Sequence, residues 1–367
     1  MKIRRVLMWA AGTLALLLVA LVSLVWILTF HPRPHQAEPV ICALEAPLLK
    51  PGQTLRVLTW NVQFMAGKNY VFFFDVPDGN GPDERPSRED ITHTLSEVAR
   101  VIHDENPDLV LLQEVDNGAA RTDYEDQLQR LLGLLTSEYA CHVSAFYWKA
   151  AYVPHPRIHG AVGLTLATLS KYRISGATRH QLSLIPGNFV TQQFNLKRAV
   201  LEARLPLEQG GEFVVLNTHL DAFAQGSNTM EKQVREIDSL LRSLTQSGQP
   251  WVIGGDFNLL PNVEAYRRLL PRQQYYFNPR TEIAPLFESY QAVPSLAEVS
   301  GPDYQQWFTH LPNDPEVRGP DRTIDYLFFS RTVRLGTHWV RQRDTQRISD
   351  HMPLNSGFQL PARNSEF

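Results

Sequence analysis

The sequence predicts an α/β (α+β) domain of two packed β-sheets flanked by helices, preceded by one N-terminal transmembrane helix. Three observations lead there. Ten or more short apolar stretches read as strands against three good amphipathic helices, a ratio that suits stacked sheets with helices outside them. Several of those stretches end in a polar residue of catalytic type, which is how one rim of a sandwich comes to carry a site. An uncharged apolar run, Val6 to Phe30, follows Lys2, Arg4 and Arg5.

That run is long enough to cross a bilayer as a helix and longer than the core of an ordinary signal peptide. No small-x-small cleavage pattern follows it; the chain continues Phe30-His31-Pro32-Arg33-Pro34. A cleaved signal is the competing reading. Basic residues before the span favour a cytoplasmic amino terminus. The expected arrangement is a single-pass anchor over residues 1–30, inserted through residues 6–30. A proline-containing linker over 31–51 and a catalytic domain over 52–362 then lie outside the cytoplasm. In a bacterium this means the inner (cytoplasmic) membrane and the periplasm. The 367 residues carry 35 Lys and Arg against 38 Asp and Glu, net −3, which speaks against tight nonspecific binding to nucleic acid. Of the two cysteines, Cys42 and Cys141, the sequence allows a disulfide in an oxidising compartment or two buried thiols equally well. No obligate protein partner is evident.

In order, Leu55–Val62 reads as a strand closing on Asn61. Ser87 caps a helix running through Asn106, with Ile91, Leu95, Val98 and Ile102 on one face. Asp108–Glu114 reads as a buried strand, Asp126–Leu135 as a second helix, and a strand follows about Cys141. Further strands fall at Val162–Leu169, Ala199–Arg204 and Phe213–His219. A helix over Met230–Leu244 turns Val234, Ile237, Leu241 and Leu244 inward. Trp251–Asp256, a short helix about Glu264–Leu270, and strands at Ile324–Ser330, Val333–Val340 and Leu354–Gln359 complete the set.

The strand ends carry the chemistry. In Gly254-Gly255-Asp256-Phe257-Asn258 a carboxylate and a carboxamide sit at alternate positions, so an extended chain points both the same way with Phe257 anchored behind. The two glycines permit close approach of backbone or ligand. Glu114 ends an apolar strand with no lysine or arginine nearby in sequence. A glutamate is rarely buried without a partner, so a cation is expected there. Asn61 suits a metal ligand through its carbonyl oxygen, although a lone asparagine in a turn more often bonds backbone. His219 suits a donor to a phosphate oxygen, and alone is more often a satisfied core histidine. Asp325 lies inside an apolar strand and His351 in Ser349-Asp350-His351. A buried aspartate beside an imidazole fixes its tautomer and stabilises its cation, which leaves Asp350 for a metal.

Each signal is weak alone, but their order is informative. Trp60-Asn61, Gln113-Glu114, Asn217-Thr218-His219, Gly255-Asp256-Phe257-Asn258, Ile324-Asp325-Tyr326 and Ser349-Asp350-His351 follow the order of the endonuclease/exonuclease/phosphatase superfamily, and the chain resembles it from about Leu55 to Phe358. The resemblance implies a four-layer sandwich of two mixed sheets and metal-dependent hydrolysis of a phosphoester, with Mg²⁺ expected and Mn²⁺ or Ca²⁺ as alternatives. It implies metal ligation by Glu114, Asn61 and Asp350. It casts Asp256 as the residue activating water, Asn258 as the amide steadying the transition state, and His219 and His351 as phosphate contacts. Asp325 then orients His351.

The substrate is less marked. Tyr70-Val71-Phe72-Phe73-Phe74, with Phe146-Tyr147-Trp148 and Tyr152, offers aromatic groups near the expected rim, where core packing is the default reading and contact with an apolar substrate or bilayer the sharper one. Arg331, Arg334, Arg341, Arg343 and Arg347 read either as a solvated strand face or as an anion-binding border beside His351. Together with the anchor, these features favour a lipid headgroup or other envelope phosphodiester. Nucleic acid cleaved outside the cytoplasm is the alternative substrate. A non-catalytic binding module on the same fold is a third reading, which the joint presence of Glu114, Asp256, Asn258 and His351 opposes.

Overall fold

The computed structural model describes residues 2–68, 70, 85–135, 138–222, 224–314 and 316–362. The aromatic run Val71–Phe74 lies outside the described residues. Among the described residues fourteen strands follow one another: β1 (His35–Ala37), β2 (Ile41–Cys42), β3 (Thr54–Asn61), β4 (Leu109–Asp116), β5 (Cys141–Val153), β6 (Gly160–Ser170), β7 (Gly176–Gln181), β8 (Ala199–Pro206), β9 (Glu212–His219), β10 (Trp251–Asp256), β11 (Gln291–Val293), β12 (Asp325–Phe329), β13 (Arg334–Val340) and β14 (Leu354–Gln359). Five helices matter for the site: α1 (Lys2–Leu28), α2 (Arg88–Glu105), α3 (Gln127–Leu134), α4 (Phe189–Phe194) and α5 (Thr229–Gln246).

The strands form two seven-stranded sheets, ordered β1-β7-β8-β9-β10-β12-β11 and β13-β14-β3-β4-β6-β5-β2. Both are mixed: β3 runs parallel to β4 and β9 parallel to β10, while the other pairs are antiparallel. Their inner faces meet through Leu55, Val57, Leu109, Leu111, Leu166, Leu201, Val215, Val252, Leu327 and Phe358. Alternation sends the other residues of the same strands outward. Leu58, Trp60, Val110 and Leu112 meet Ile91, Leu95, Val98 and Ile102 of α2 on one side. Val214, Leu216, Trp251 and Ile253 meet Val234, Ile237, Leu241 and Leu244 of α5 on the other. The result is helix, sheet, sheet, helix.

Helix α2 begins where its cap predicts. The Ser87 hydroxyl accepts the Asp90 N–H at 3.1 Å, and Asn106 closes the helix in the left-handed region (φ 47°). Gly254 lets the sheets approach, since a Cβ there would stand 2.5 Å from Leu327 Cδ2 and 2.9 Å from Leu111 Cδ1 of the facing sheet.

The stretch 31–51, expected as a plain linker, supplies an edge strand to each sheet. β1 pairs with β7 and β2 with β5. In the second pairing Cys42 lies opposite Cys141, and the two form a disulfide. Strands of two or three residues carry too little periodicity to be seen in sequence, and it is the distant partners β7 and β5 that order them. The strand expected about Cys141, β5, extends over 13 residues. Helix α1 is exposed and apolar, a candidate membrane span. It ends at Leu28, and Thr29 at once bridges to Ala150 of β5.

Candidate active site

The ends of β3, β4, β9 and β10, the start of β12 and the turn before β14 converge on one rim. In the register, His219, Asp256 and Asp325 are neighbours across three strands. Gly255 makes that row possible. Its φ is 153°, and a Cβ there would fall 1.9 Å from the Thr218 carbonyl oxygen.

Asp256 is the hub. Its Oδ1 accepts the Asn258 N–H at 2.9 Å, and its Oδ2 accepts the Asn61 amide at 3.2 Å. His219 Nε2 lies 3.2 Å and His351 Nε2 3.6 Å from the same Oδ2. Asn258 does not continue the strand as expected. It turns into the left-handed region (φ 51°) and donates its side-chain amide to the Leu220 carbonyl at 3.2 Å, while Phe257 is buried behind, as expected.

Glu114 sits in a bulge of β4 against β6, with φ 57°. The bulge keeps Val115 in the core and turns Glu114 toward the rim, where Asn61 donates to its Oε1 at 3.2 Å. The strand runs on to Asp116, and Arg121 from the following turn approaches both carboxylates. A cation-bearing side chain therefore lies closer to Glu114 than the sequence suggested. The Asn61 carbonyl oxygen, expected toward a metal, accepts the Gln63 N–H at 3.0 Å, so its amide nitrogen is what faces the carboxylates.

The Ser349-Asp350-His351 turn is fastened to the end of β3. Ser349 donates to the Asn61 backbone carbonyl at 2.8 Å and the Trp60 indole to the His351 backbone carbonyl at 2.8 Å. His351 Nδ1 meets Asp325 Oδ2 at 2.8 Å, the orienting contact the sequence suggested.

The two site histidines titrate in opposite directions. Burial lowers His219 well below its ordinary value, helped by Arg198 and His351, so it is neutral. Burial also works against charge on His351, but the Asp325 and Asp256 carboxylates outweigh it and raise His351 well above that value. Burial pushes Asp256 up to about 7, with cationic His351 pulling the other way. Glu114 is raised by burial and then by Asp350.

Three further residues shape the site: Arg198 and His310 escaped the sequence reading, and Tyr147 entered it only as part of an aromatic group. Tyr147 places its hydroxyl 3.3 Å from His219 Nδ1. Arg198 pairs through Nε with Asp221 Oδ1 at 3.2 Å, lies over the Tyr147 ring, and keeps Nη1 buried without a hydrogen-bond partner among the described residues. His310 packs edge-on against His351 at 4.6 Å between centroids. The Lys197-Arg198 pair at the head of an apolar strand was a usable signal; His310 had none. None of Arg331, Arg334, Arg341, Arg343 and Arg347, read as an anion border beside His351, lines the cleft that holds it. Arg341 is spent on Asp104, Glu105 and Asp344, and Arg331 bonds the Ser289 carbonyl.

The site opens into one cleft of ≈ 1020 Å³. Glu114, His219, Asp256, Asn258, Asp350 and His351 border its polar end, and Trp148, Val153, Ile158, Ile185, Val190 and Phe194 its apolar arm. Asp325 stands behind His351, outside the lining. A divalent cation suits this donor set: Glu114 and Asp350 oppose each other's charge, which a cation between oxygen ligands relieves. Ligand atoms of Asp350, His310 and His351 also lie within 4.8 Å of one another. The atoms of Asp256, Asp325 and His351 are equally close, but there the Asp325–His351 hydrogen bond accounts for it.

The model of the Endonuclease/Exonuclease/phosphatase family matches residues 58–351. No curated protein matches the chain. Among solved structures, an endonuclease/exonuclease/phosphatase from Beutenbergia cavernae is similar at 22% identity over 84% of this chain and 72% of that one, with a TM-score of 0.57. A family protein from Leptotrichia buccalis is similar at 15% identity over 83% and 99%, TM-score 0.53. The human nocturnin catalytic domain, solved with a bound sulfate anion, is similar at 17% identity over 88% and 96%, TM-score 0.51. Such distant likenesses speak to the fold, whereas the family match spans most of the chain. The chain belongs to the endonuclease/exonuclease/phosphatase family, a superfamily of metal-dependent phosphoesterases.

Proposed function

We propose that this chain is a membrane-anchored phosphodiesterase, with its domain outside the cytoplasm and a lipid or other envelope phosphodiester as substrate. The observation that carries the chemistry is the pairing of Asp256 with a cationic His351 at one end of a closed-in cleft. The relatives act on phosphoesters, and the sulfate held by nocturnin is the same kind of tetrahedral anion.

Glu114 and Asp350 would hold a divalent cation, which when bound would neutralise the phosphate's developing charge; the Asn61 amide donates to Glu114 beside them. The protein's own groups do the rest. Asp256 accepts the proton of the attacking water, because His351 is already protonated and cannot act as base. His351 instead donates Nε2–H to a phosphate oxygen, its cation supported from behind by Asp325 at 2.8 Å. His219, with its hydrogen on Nε2 toward Asp256, fixes that carboxylate and leaves Nδ1 to accept the Tyr147 hydroxyl. Asn258 is anchored through Leu220, which places its amide beside the reacting centre. Arg198, with one buried nitrogen lacking a hydrogen-bond partner among the described residues, adds positive potential to the cleft.

The topology is supported by Lys2, Arg4 and Arg5 ahead of the span and by the Cys42–Cys141 disulfide, which belongs to an oxidising compartment. The test is the full chain in detergent micelles with Mg²⁺, Mn²⁺ or Ca²⁺. The substrates are a chromogenic phosphodiester, sphingomyelin, phosphatidylinositol and plasmid DNA, each with and without chelator. Chelator and Asp256→Ala are each expected to abolish turnover. Hydrolysis that survives either one refutes the chemistry, and cleavage of DNA with no lipid turned over refutes the substrate.

A further inference from the structure

The anchor and the cleft share one rim of the sandwich. On β5, Phe146 is opposite Thr165 of β6, and Thr165 is opposite Val115, the neighbour of Glu114. The end of β5 beyond Phe146 is therefore the catalytic end. It is also where α1 joins: Thr29 bridges to Ala150, and the Phe30 ring lies 6.4 Å from Phe146 and under the Arg179 guanidinium. No residue separates the helix from its first pairing, since Thr29 follows Leu28 directly, and His31 stacks back on Trp26 at 3.6 Å. The domain thus has no slack with which to turn this rim away from the bilayer.

The same rim exposes apolar side chains. Phe189 (65% exposed) and Val190 (63%) lead α4, between β7 and β8, whose paired ends Gln181 and Ala199 are at the catalytic end. Tyr124 (64%), Tyr152 (44%) and Tyr275 (69%) stand on the loop after β4, the end of β5 and the segment after β10. Tyrosines around a smaller apolar projection are the composition of a surface at headgroup depth. Exposed Val190 also lines the cleft, together with Trp148, Ile158 and Phe194 and the carboxylates Glu114, Asp256 and Asp350, so that surface and the reacting centre share one partly apolar cleft.

We propose that this rim lies against the leaflet from which α1 emerges, and that the cleft draws its substrate from that leaflet. The lipid's phosphate then sits between Asp256 and His351, and its acyl chains lie along the apolar arm. The proposal rests on the reading of α1 as a retained span and of the site as a phosphoesterase.

Depth and turnover are measured on the same protein to test it. Cys42 and Cys141 are joined, so a cysteine introduced into the full chain is its one free thiol. Phe189→Cys, and as a control Gln246→Cys at the far end of α5, carry an environment-sensitive fluorophore. Both are reconstituted in phosphatidylcholine–phosphatidylglycerol vesicles containing lipid nitroxide-labelled near the headgroup. The expected result is strong quenching at position 189 and little at 246. Phe189→Ser should lower phosphatidylglycerol hydrolysis about tenfold relative to hydrolysis of a soluble chromogenic diester, the scale of removing one buried aromatic contact. Equal, weak quenching at both positions in a protein that cleaves the soluble diester overturns the proposal and leaves the phosphoesterase reading intact. Quenching at 189 in a protein that cleaves neither diester nor lipid upholds the orientation and removes that reading. Quenching with nucleic acid cleaved and lipid spared overturns the lipid substrate.

Discussion

Asp325→Asn isolates what a buried carboxylate contributes to His351. The variant keeps the size of the side chain and an oxygen to accept Nδ1–H, so the 2.8 Å contact can persist without its charge. Both groups are buried, and a charge-assisted hydrogen bond of this kind is worth about 1.5–3 kcal/mol. If that support is felt chiefly by the imidazolium facing the transition state, kcat/KM falls roughly 10- to 150-fold. The sign of the pH effect follows from His351. It is charged below its raised value and loses its proton as pH rises through it, despite burial, because Asp325 and Asp256 hold the charge. Removing one carboxylate lowers that value, so the alkaline limb of the rate profile moves toward acid pH. The acid limb belongs to Asp256, and its midpoint should lie no higher than about 7. The assay is hydrolysis of a soluble chromogenic diester across the pH range, with the melting temperature as a check on folding. An alkaline limb that stays in place, in a folded variant, refutes the relay.

Other perturbations test neighbouring parts. Glu114→Gln removes a half-buried carboxylate opposed by Asp350, so the metal-free protein should melt higher, while the gain with Mg²⁺ should vanish; for wild type that gain is about 2.7 kcal/mol at roughly a hundredfold excess over Kd, read by thermal melts with and without chelator. Cys42→Ser with Cys141→Ser opens a cross-link across a sequence separation of 99 and should cost about 2–4 kcal/mol, measured by urea unfolding. Gly255→Ala forces a Cβ against a backbone oxygen 1.9 Å away and should destabilise by about 1–3 kcal/mol or more, whereas Gly254→Ala meets only side-chain ends and should be milder; paired denaturation curves check the order.

Where the sequence could be read, the reason was local. Helix α2 has a cap, an apolar face and a closing asparagine within one stretch, and all are used as their chemistry predicts. The central strands are apolar runs long enough to show themselves, and their polar ends meet at one rim. What escaped depends on distant partners. β1 and β2 are ordered only by strands far along the chain, and the 31–51 stretch read as a linker for that reason. The bulge that aims Glu114 and the left-handed turn that aims Asn258 are backbone events with no residue marker such as glycine. Arg198 and His310 gain their places from packing against Tyr147 and His351, contacts that spacing along the chain does not encode.

The early strands β1 and β2 also act as covers. Each lies at the outer edge of a sheet, so a soluble form begun at β3 would uncover β7 in one sheet and β5 in the other. Bare edges present unpaired backbone donors and acceptors in a row, which invites pairing between molecules. A form begun after Cys42 loses the covalent tie as well. Shortening the chain for secretion or crystallisation should therefore stop ahead of His35. A shorter product that precipitates would then reflect self-association of opened sheets and carry no information about the catalytic groups.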